Sequence, residues 1–513
     1  MNIPVDIGST KRAYTAEQDA VISRAAGLRE GAHLRVRAGA GTGKTTTLLG
    51  VAQARGSDRG LYLAFNAEIA REAREKFGQT NCHAATFHSL ALRAAAREMS
   101  GNAASRYQVK TDVLGEPSVA LVLSSLPRVA GWSTYKLALT LLRTVSVYCA
   151  SDAPAVTPGH ACEAIIAETG DPETLHGEYP RERAARAIAR LSKPLSDMAQ
   201  AFFDHKVAEG HFTHDVYLKL VALRPDLAAR AFAAADYLIV DEAQDLNPVQ
   251  IQLLRSSGKS IVAVGDAAQA IYAWRGAVSA LERLPGEESA LSNSFRFGAN
   301  VATLANKVLG ESPEGSLGVR VTGVGGAGAD SFPGTRYAVL CRTNAAILDE
   351  AASLARAGHA YHIDKADQLR AEILSAGAIY HNELHAVSLP EYRVFATWAE
   401  VVDEATDNRN LEQIVKIVED NRAGEALAIL DASQPRGVAR VALMTGHRSK
   451  GLEFPVVKMA SDWLSLKDLA ERATEARASS PRHLTAITQE YNLLYVAFTR
   501  AMERVVGSER LVG

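Results

Sequence analysis

The chain has 513 residues, 47% of them hydrophobic and 22% charged, with a formal net charge of −2. That length exceeds one compact core and points to two to four domains of ordinary globular composition. The charge excludes a passive polyanion binder coated in lysine, although a local basic groove remains compatible with it. In chain order, the first strong pattern is a strand over His33–Arg37, a glycine-rich turn Ala38-Gly39-Ala40-Gly41-Thr42-Gly43-Lys44-Thr45, and a helix over Thr45–Val51. A second strand is expected over Gly60–Phe65. Residues 93–199 then read as mainly helical, with Ala- and Arg-rich periodicity in Arg181–Leu191. Strands follow at Tyr237–Val240 and Ser260–Val264, a glycine-rich mobile loop at Gly323–Asp330, and a strand at Tyr337–Leu340. A helical stretch over 366–434, including Leu411–Glu419, precedes a last strand at Val438–Leu443. Short apolar strands alternating with helices indicate parallel sheets, here in two groups divided near residue 290.

No apolar run reaches the roughly 18 residues of a membrane span. Met1–Lys11 lacks the basic-then-apolar pattern of a signal peptide. Cys82, Cys149, Cys162 and Cys341 form no CxxC pair, so neither a zinc site nor a disulfide framework is expected. A reducing, cytoplasmic setting follows.

The turn at 38–45 carries chemistry. Glycines let the backbone curl so that its N–H groups face phosphates, and the helix N-terminus adds partial positive charge. Ala40, Gly41, Thr42, Gly43, Lys44, Thr45 and Thr46 are the candidate ATP-binding residues. Lys44 reaches the β- and γ-phosphates, and the Thr45 hydroxyl ligates Mg²⁺. The general pattern has Gly where this chain has Ala38. Downstream, the strand Leu238-Ile239-Val240 ends in Asp241-Glu242. Asp241 is placed to hold the Mg²⁺ shell and Glu242 to orient or deprotonate the attacking water. Two adjacent carboxylates capping a strand end is the plainer reading, and the phosphate loop upstream weighs against it. Phosphoryl transfer also needs cations at the γ-phosphate, each worth roughly 10³–10⁵ in rate. Arg296, in Asn293-Ser294-Phe295-Arg296-Phe297, and Arg500, in Phe498-Thr499-Arg500, are candidates. Spacing alone leaves open that they are solvated surface arginines.

Together these segments resemble the UvrD/Rep family of superfamily 1 helicases. Tyr14-Thr15-Ala16-Glu17-Gln18 looks like its adenine-reading motif, the phosphate loop like motif I, and Asp241-Glu242-Ala243-Gln244-Asp245 like motif II. Gly265–Ala277 resembles motif III, residues 293–296 motif IV, Thr445–Phe454 motif V and Tyr491–Ala501 motif VI. The resemblance implies two RecA-like parallel-sheet domains that form an interdomain ATP cleft. Domain 1A would comprise 1–92 and 200–289, and 2A would comprise 290–365 and 435–513. The helical insertions would be 1B (93–199) and a reduced 2B (366–434). It further implies that Gln18 reads adenine, Phe295 stacks near it and Glu453 contacts the ribose. Gln269 would sense the γ-phosphate, and Arg296 and Arg500 would be the fingers. Phe65, His88, Tyr272, Trp274, Arg275 and His447 would line a DNA track. Aromatic faces suit that role, because stacking a base contributes about 1–3 kcal/mol whatever its identity. For Phe65, core packing at a strand end is an equal reading.

A narrower resemblance, to the F-box DNA helicase branch, lies in Leu61–Asn66, Thr213–Lys219, Ser294–Gly298 and Asn492–Ala497. No room for an F-box precedes Tyr14, so a ubiquitin-ligase role is not expected. The function implied is an ATP- and Mg²⁺-dependent, 3′→5′ single-stranded DNA translocase or helicase of repair, recombination or replication, acting on single strands and junctions. Two alternatives stand beside it. One is a translocase that strips recombinases with little unwinding. The other is an ATP-gated, nucleic-acid-sensing subunit of a defence or signalling complex.

Overall fold

A computed structural model describes residues 5–6, 11–12, 14–99, 108–109, 132, 134–172, 178–209, 211–273, 276–313, 318–326, 334, 336–389, 392–393, 395, 397–405, 409–479 and 481–513. The chain divides into two compact units, residues 1–167 with 175–293 and 317–320, and residues 168–174 with 294–316 and 321–513. Each unit carries a parallel sheet, as two RecA-like domains require.

The first sheet has six strands: β1 (His33–Ala38), β2 (Gly60–Ala64), β3 (Cys82–Thr86), β4 (Tyr237–Val240), β5 (Ser260–Gly265) and β6 (Glu287–Leu291). Their spatial order is β6-β1-β5-β4-β2-β3, every pairing parallel. The central strand β4 is buried along its whole length, which explains its uninterrupted Tyr-Leu-Ile-Val. In β1 the burial alternates. Leu34 and Val36 pack with Val21, Ile22, Leu48 and Val51 of the helices Ala16–Ala26 and Lys44–Ala54. On its other face Arg37 pairs with Glu282 and Glu288. The first helix starts at a capping box, in which Thr15 and Gln18 satisfy each other's backbone N–H.

The helical stretch expected over 93–199 contains helices Thr134–Ala150, Pro158–Thr169 and Glu178–Glu209 among its described residues. The end of the first is tied to the sheet unit by Lys219, on helix His214–Leu223. Its buried ammonium donates to Ser151 O at 2.8 Å and Ala153 O at 2.6 Å, and lies 4.4 Å from the Tyr148 ring centroid. These carbonyls follow the helix C-terminus, where a cation is favoured.

The second sheet has five strands: β7 (Tyr337–Cys341), β8 (Tyr361–Ile363), β9 (Val441–Thr445), β10 (Phe454–Met459) and β11 (Ala501–Val506). They lie in the order β8-β9-β7-β10-β11, again all parallel. The strand expected from Val438 starts at Val441. Gly437 takes φ 83° in a turn closed by Val438 N donating to Pro435 O, which leaves Val438 exposed. The glycine-rich loop is anchored at its start, with Val324 N donating to Ser294 O and Gly325 N to Phe297 O. Its residues 327–330 lie outside the described ones. No helix among the described residues is long and apolar enough to cross a membrane.

Lys219→Met should strip two carbonyls of their donor and destabilise the first unit by about 2–4 kcal/mol. The check is a urea or thermal unfolding curve, in which the first transition moves down. An unmoved curve would show that solvent replaces the ammonium without loss.

Candidate functional site

In the first unit the candidate residues converge on the carboxyl edge of the sheet, where ligands of parallel sheets bind. The phosphate loop follows β1. Gly41 and Gly43 take φ of 72° and 77°, a left-handed conformation costly for any residue with a Cβ. Thr42 Oγ1 donates to Gly39 O at 2.9 Å, and Thr47 N donates to Gly43 O at 2.9 Å, which locks the loop onto its helix. Ala40 is buried beneath the loop, while Thr45 and Thr46 stay half-buried in the first helical turn. Asp241 and Glu242 follow β4, Asp266 follows β5, and Phe65 follows β2.

Lys44 Nζ meets Glu242 Oε2 at 3.0 Å. Burial opposes the ammonium's charge, but the carboxylates of Glu242, Asp241 and Asp266 outweigh it and raise its pKa. Burial raises Asp241, with Glu242 adding to it, against Lys44 and the Tyr62 hydroxyl that donates to Asp241 Oδ2 at 2.5 Å. Burial raises Asp266 too. One ammonium among three carboxylates leaves a surplus of negative charge in a desolvated place, a setting that favours a further cation. No cluster of three His, Cys, Asp or Glu able to hold a metal occurs among the described residues. Mg²⁺ takes one or two protein ligands and completes its shell with substrate phosphates and water. The surplus charge around Asp241 and the half-buried hydroxyl of Thr45 in the first helical turn are compatible with such an ion.

The two carboxylate strands are joined through Gln244, which the sequence reading gave no role. Gln244 Nε2 donates to Glu242 Oε2 at 2.7 Å, and Gln244 Oε1 accepts from Asp266 N at 3.0 Å. Gln269 Nε2 then donates to Asp266 Oδ2 at 2.7 Å. A hydrogen-bonded chain thus runs from Glu242 to Gln269, three residues before Tyr272. Gly265 makes room for it, since a Cβ there would stand 2.5 Å from Gln244 Oε1. Gln18, on the first helix, commits its Oε1 to Thr15 N, which leaves its Nε2 to donate elsewhere.

The aromatic candidates share this edge. Phe65 is half-buried, outside the core, and stacks on Tyr272 with centroids 5.8 Å apart and planes 8° from parallel. His88 opens the helix after β3, edge-on to the His214 and Tyr217 rings, with its Nε2 3.9 Å from Asp215 Oδ1. Trp274 and Arg275 lie outside the described residues.

In the second unit the candidates fall at opposite ends of the sheet. At the amino end of β10 and β11, Arg296 Nε donates to Glu453 Oε1 at 2.7 Å and its Nη1 to Thr499 O at 3.0 Å. Glu453, expected to contact a ribose, here holds the Arg296 guanidinium. Arg500 is buried and donates to Val496 O at 2.9 Å and, through Nη2, to Thr499 Oγ1 at 3.1 Å. Phe295 is half-buried beside Arg296. His447 stands at the carboxyl end, after β9. Burial, then Arg342, push its pKa down to about 4.

Two family models match this chain. One describes the UvrD/REP helicase N-terminal domain, over residues 20–282, and one the UvrD-like helicase C-terminal domain, over residues 385–508. The chain belongs to the UvrD/REP helicase family. Over 97% of its length the chain is 27% identical to F-box DNA helicase 1 of Gallus gallus, covering 49% of that protein. It is 26% identical to F-box DNA helicase protein 1 of Schizosaccharomyces pombe, over 98% of this chain and 58% of the relative. A shorter match, 37% identical over 123 residues, is to DNA helicase II of Escherichia coli, covering 22% of this chain and 16% of that one. The chain thus spans about half the length of these first two relatives.

The sequence reading also missed Arg342 and Glu490. Arg342 follows β7 and forms a two-pronged pair with Glu490, Nε to Oε2 at 2.8 Å and Nη2 to Oε1 at 2.5 Å. Asp462, after β10, accepts from the backbone N–H groups of Arg342 and Thr343. An arginine directly after a predicted parallel strand was the available signal. Its partner, 148 residues away, carried none.

Two predictions follow from these contacts. Gln244→Ala should cut the carboxylate chain and lower kcat for ATP by about 10–100-fold with little change in KM. Gly265→Ala should do the same by displacing Gln244, and wild-type turnover in both variants would show that the chain carries nothing. His447, with its pKa depressed, should stay neutral where an ordinary histidine titrates. Its NMR ring signal should not move between about pH 8 and about pH 5.5. The unfolded chain takes up that proton near its ordinary pKa of about 6.5 and the folded chain does not, so His447 withdraws stability as pH falls below that value. A titration midpoint near the ordinary value would contradict the burial seen here.

Proposed function

We propose that this helicase uses ATP and Mg²⁺ to move 3′→5′ along single-stranded DNA, in repair, recombination or replication. One observation carries the proposal. The hydrogen-bonded chain that begins at Glu242 ends at Gln269, and Tyr272, stacked on Phe65, follows three residues later on the same sheet edge. A change at the γ-phosphate therefore has a short path, hydrogen-bonded to Gln269 and covalent from there, to an aromatic surface on which a base can stack.

In this reading Lys44 neutralises the β- and γ-phosphates, which frees it from Glu242. Glu242 then takes the proton of the attacking water or orients it. Bound Mg²⁺, with Asp241 and Thr45 as ligands, supplies charge neutralisation at the phosphates. Arg296 and Arg500 act on the γ-phosphate charge in the transition state, and Glu453 hands Arg296 over when the nucleotide arrives. Gln18 reads the adenine edge and Phe295 stacks near it. Phe65, Tyr272, Trp274, Arg275, His88 and His447 grip the strand. The 1A, 1B, 2A and reduced 2B divisions, with the boundaries set out above, belong to the same reading. The whole-length likeness to F-box DNA helicases, whose own length is about twice this chain's in the Gallus gallus case, supports a translocase of that type.

The test is ATP hydrolysis with single-stranded DNA, duplex DNA and RNA in turn, together with displacement of strands from 3′- and 5′-tailed duplexes. Single-stranded DNA should stimulate most, the 3′ tail should be required, and Lys44→Ala should lower the stimulated rate by at least about 10²-fold. Normal hydrolysis by Lys44→Ala would overturn the phosphate site. Equal stimulation by every nucleic acid would overturn the single-strand track.

A further inference from the structure

Residues 366–434 carry a surface unlike the rest of the molecule. The segment forms helices α1 (Ala366–Tyr380), α2 (Trp398–Ala405), α3 (Arg409–Glu419) and α4 (Ala423–Asp431). Leu369, Ile373, Val401, Leu411, Ile414 and Leu430 are buried within it. Four large apolar side chains are not. Leu374 is 43% exposed, Tyr380 44%, Leu384 43% and Val402 38%. Among the described residues only four others in the chain are comparably exposed: Tyr179, Val324, Val438 and Val506. Half of the exposed large apolar side chains thus fall within 29 consecutive residues. Scattered exposed apolar residues are ordinary, but a concentration of them marks an interaction site.

The patch has an aromatic centre. The Tyr380 ring meets the Trp398 ring edge-on at 5.0 Å and the His381 ring at 5.2 Å. Trp398 Nε1 donates to Glu419 Oε1 at 3.0 Å, which fixes the indole at the surface. Val402 lies one turn further along the same face of α2, and Leu384 sits in the short 3₁₀ turn after α1. Aromatic side chains held in place suit recognition, because little rotamer freedom remains to be lost on binding.

The charge around the patch says what binds it. Residues 366–434 hold 13 of the chain's 58 acidic residues but only five of its 56 Lys and Arg. Most of those cations are already engaged. Arg370 pairs with Asp431, Lys416 with Glu412, Arg422 with Asp349 and Glu425, and Arg393 donates to Val387 O. Glu383, Glu419 and Asp420 are exposed and make no ion pair among the described residues. Such a field repels a nucleic-acid backbone and attracts cations. An apolar, aromatic face with Glu419 bonded to its indole, and with exposed Glu383 and Asp420 next to Leu384 and Glu419 in the chain, is complementary to a helix with one apolar stripe and Lys or Arg along its flanks.

We propose that the Tyr380–Trp398 face of residues 366–434 docks a cationic amphipathic helix of a partner protein. The inference does not depend on the proposed function, since no residue of the nucleotide site or of the strand-gripping set lies in this segment.

The experiment uses the full chain and a fluorescent, roughly 18-residue helical peptide of Leu and Lys in amphipathic register. Two peptides serve as controls, one with Glu in place of Lys and one with Ser in place of Leu. Fluorescence anisotropy should show saturable binding of the Leu/Lys peptide alone. The exposed double variants Leu384→Ser/Val402→Ser and Glu383→Lys/Asp420→Lys should each weaken it by at least about tenfold while ATP hydrolysis and thermal unfolding stay as in the parent. Binding that survives both variants, or equal binding of the Leu/Glu peptide, would overturn the proposal. So would self-association of the chain that Leu384→Ser/Val402→Ser abolishes, since the occupant would then be a second copy.

Discussion

A single buried ammonium among three carboxylates organises the first unit. Lys44 reaches Glu242 at 3.0 Å, and the charges of Glu242, Asp241 and Asp266 overcome the desolvation that would otherwise neutralise it. Two unit charges about 4 Å apart interact by roughly 4 kcal/mol at an effective dielectric of 20. Breaking such a pair in a buried place costs more than forming it yields, because the orphaned charge stays desolvated. The phosphate loop, the end of β4 and the end of β5 are therefore held to one another by charge as well as by the sheet. This arrangement is stable only while Lys44 has a counter-charge. In the proposed mechanism a triphosphate takes over as that counter-charge, while Glu242 Oε2 keeps the Gln244 donor.

The second unit shows the same logic with the sign reversed. Arg296 is held by Glu453 and by the Thr499 carbonyl, and Arg500 by backbone carbonyls and the Thr499 hydroxyl. Both guanidinium groups meet in the turn that joins helix Pro481–Phe498 to β11. Arg342, His447 and Glu490 lie instead at the opposite, carboxyl end of that sheet. A rigid parallel sheet therefore separates two chemically distinct surfaces within one body, and movement of the body as a whole displaces both together.

Legibility in the sequence followed from how local each constraint was. The phosphate loop was readable because strand, glycines, lysine and helix are contiguous, and Gly41 and Gly43 do take the left-handed conformation their composition suggests. Asp241-Glu242 was readable because an apolar strand ends there. Strand limits were less so. Val438 looks like strand, but a left-handed Gly437 turns the chain first, so pairing begins only at Val441. Phe65 was balanced between core and surface, and only the Tyr272 ring, 207 positions later in the chain, shows which side it faces. Gln244 and Asp266 sat inside legible motifs, yet their hydrogen bond crosses from one strand end to another and needs β4 and β5 to be neighbours. Arg342 and Glu490 needed the whole second sheet to be folded before their pairing could be seen.

Net charge illustrates how a summed property misleads when charge is segregated. The chain totals −2, which on its face is no invitation to DNA. Yet 13 acidic residues against five basic ones fall in residues 366–434, so the remainder of the chain carries an excess of positive charge. Interactions between exposed charges fade over roughly 8–10 Å at physiological salt. An acidic segment therefore shapes the potential only at its own surface and leaves local charge elsewhere effective. The two fields also sort partners. In the proposed reading a phosphate backbone is repelled from residues 366–434, while a lysine-rich helix has the opposite preference. A protein can in this way hold a polyanion and a polycation at once without either competing for the other's site.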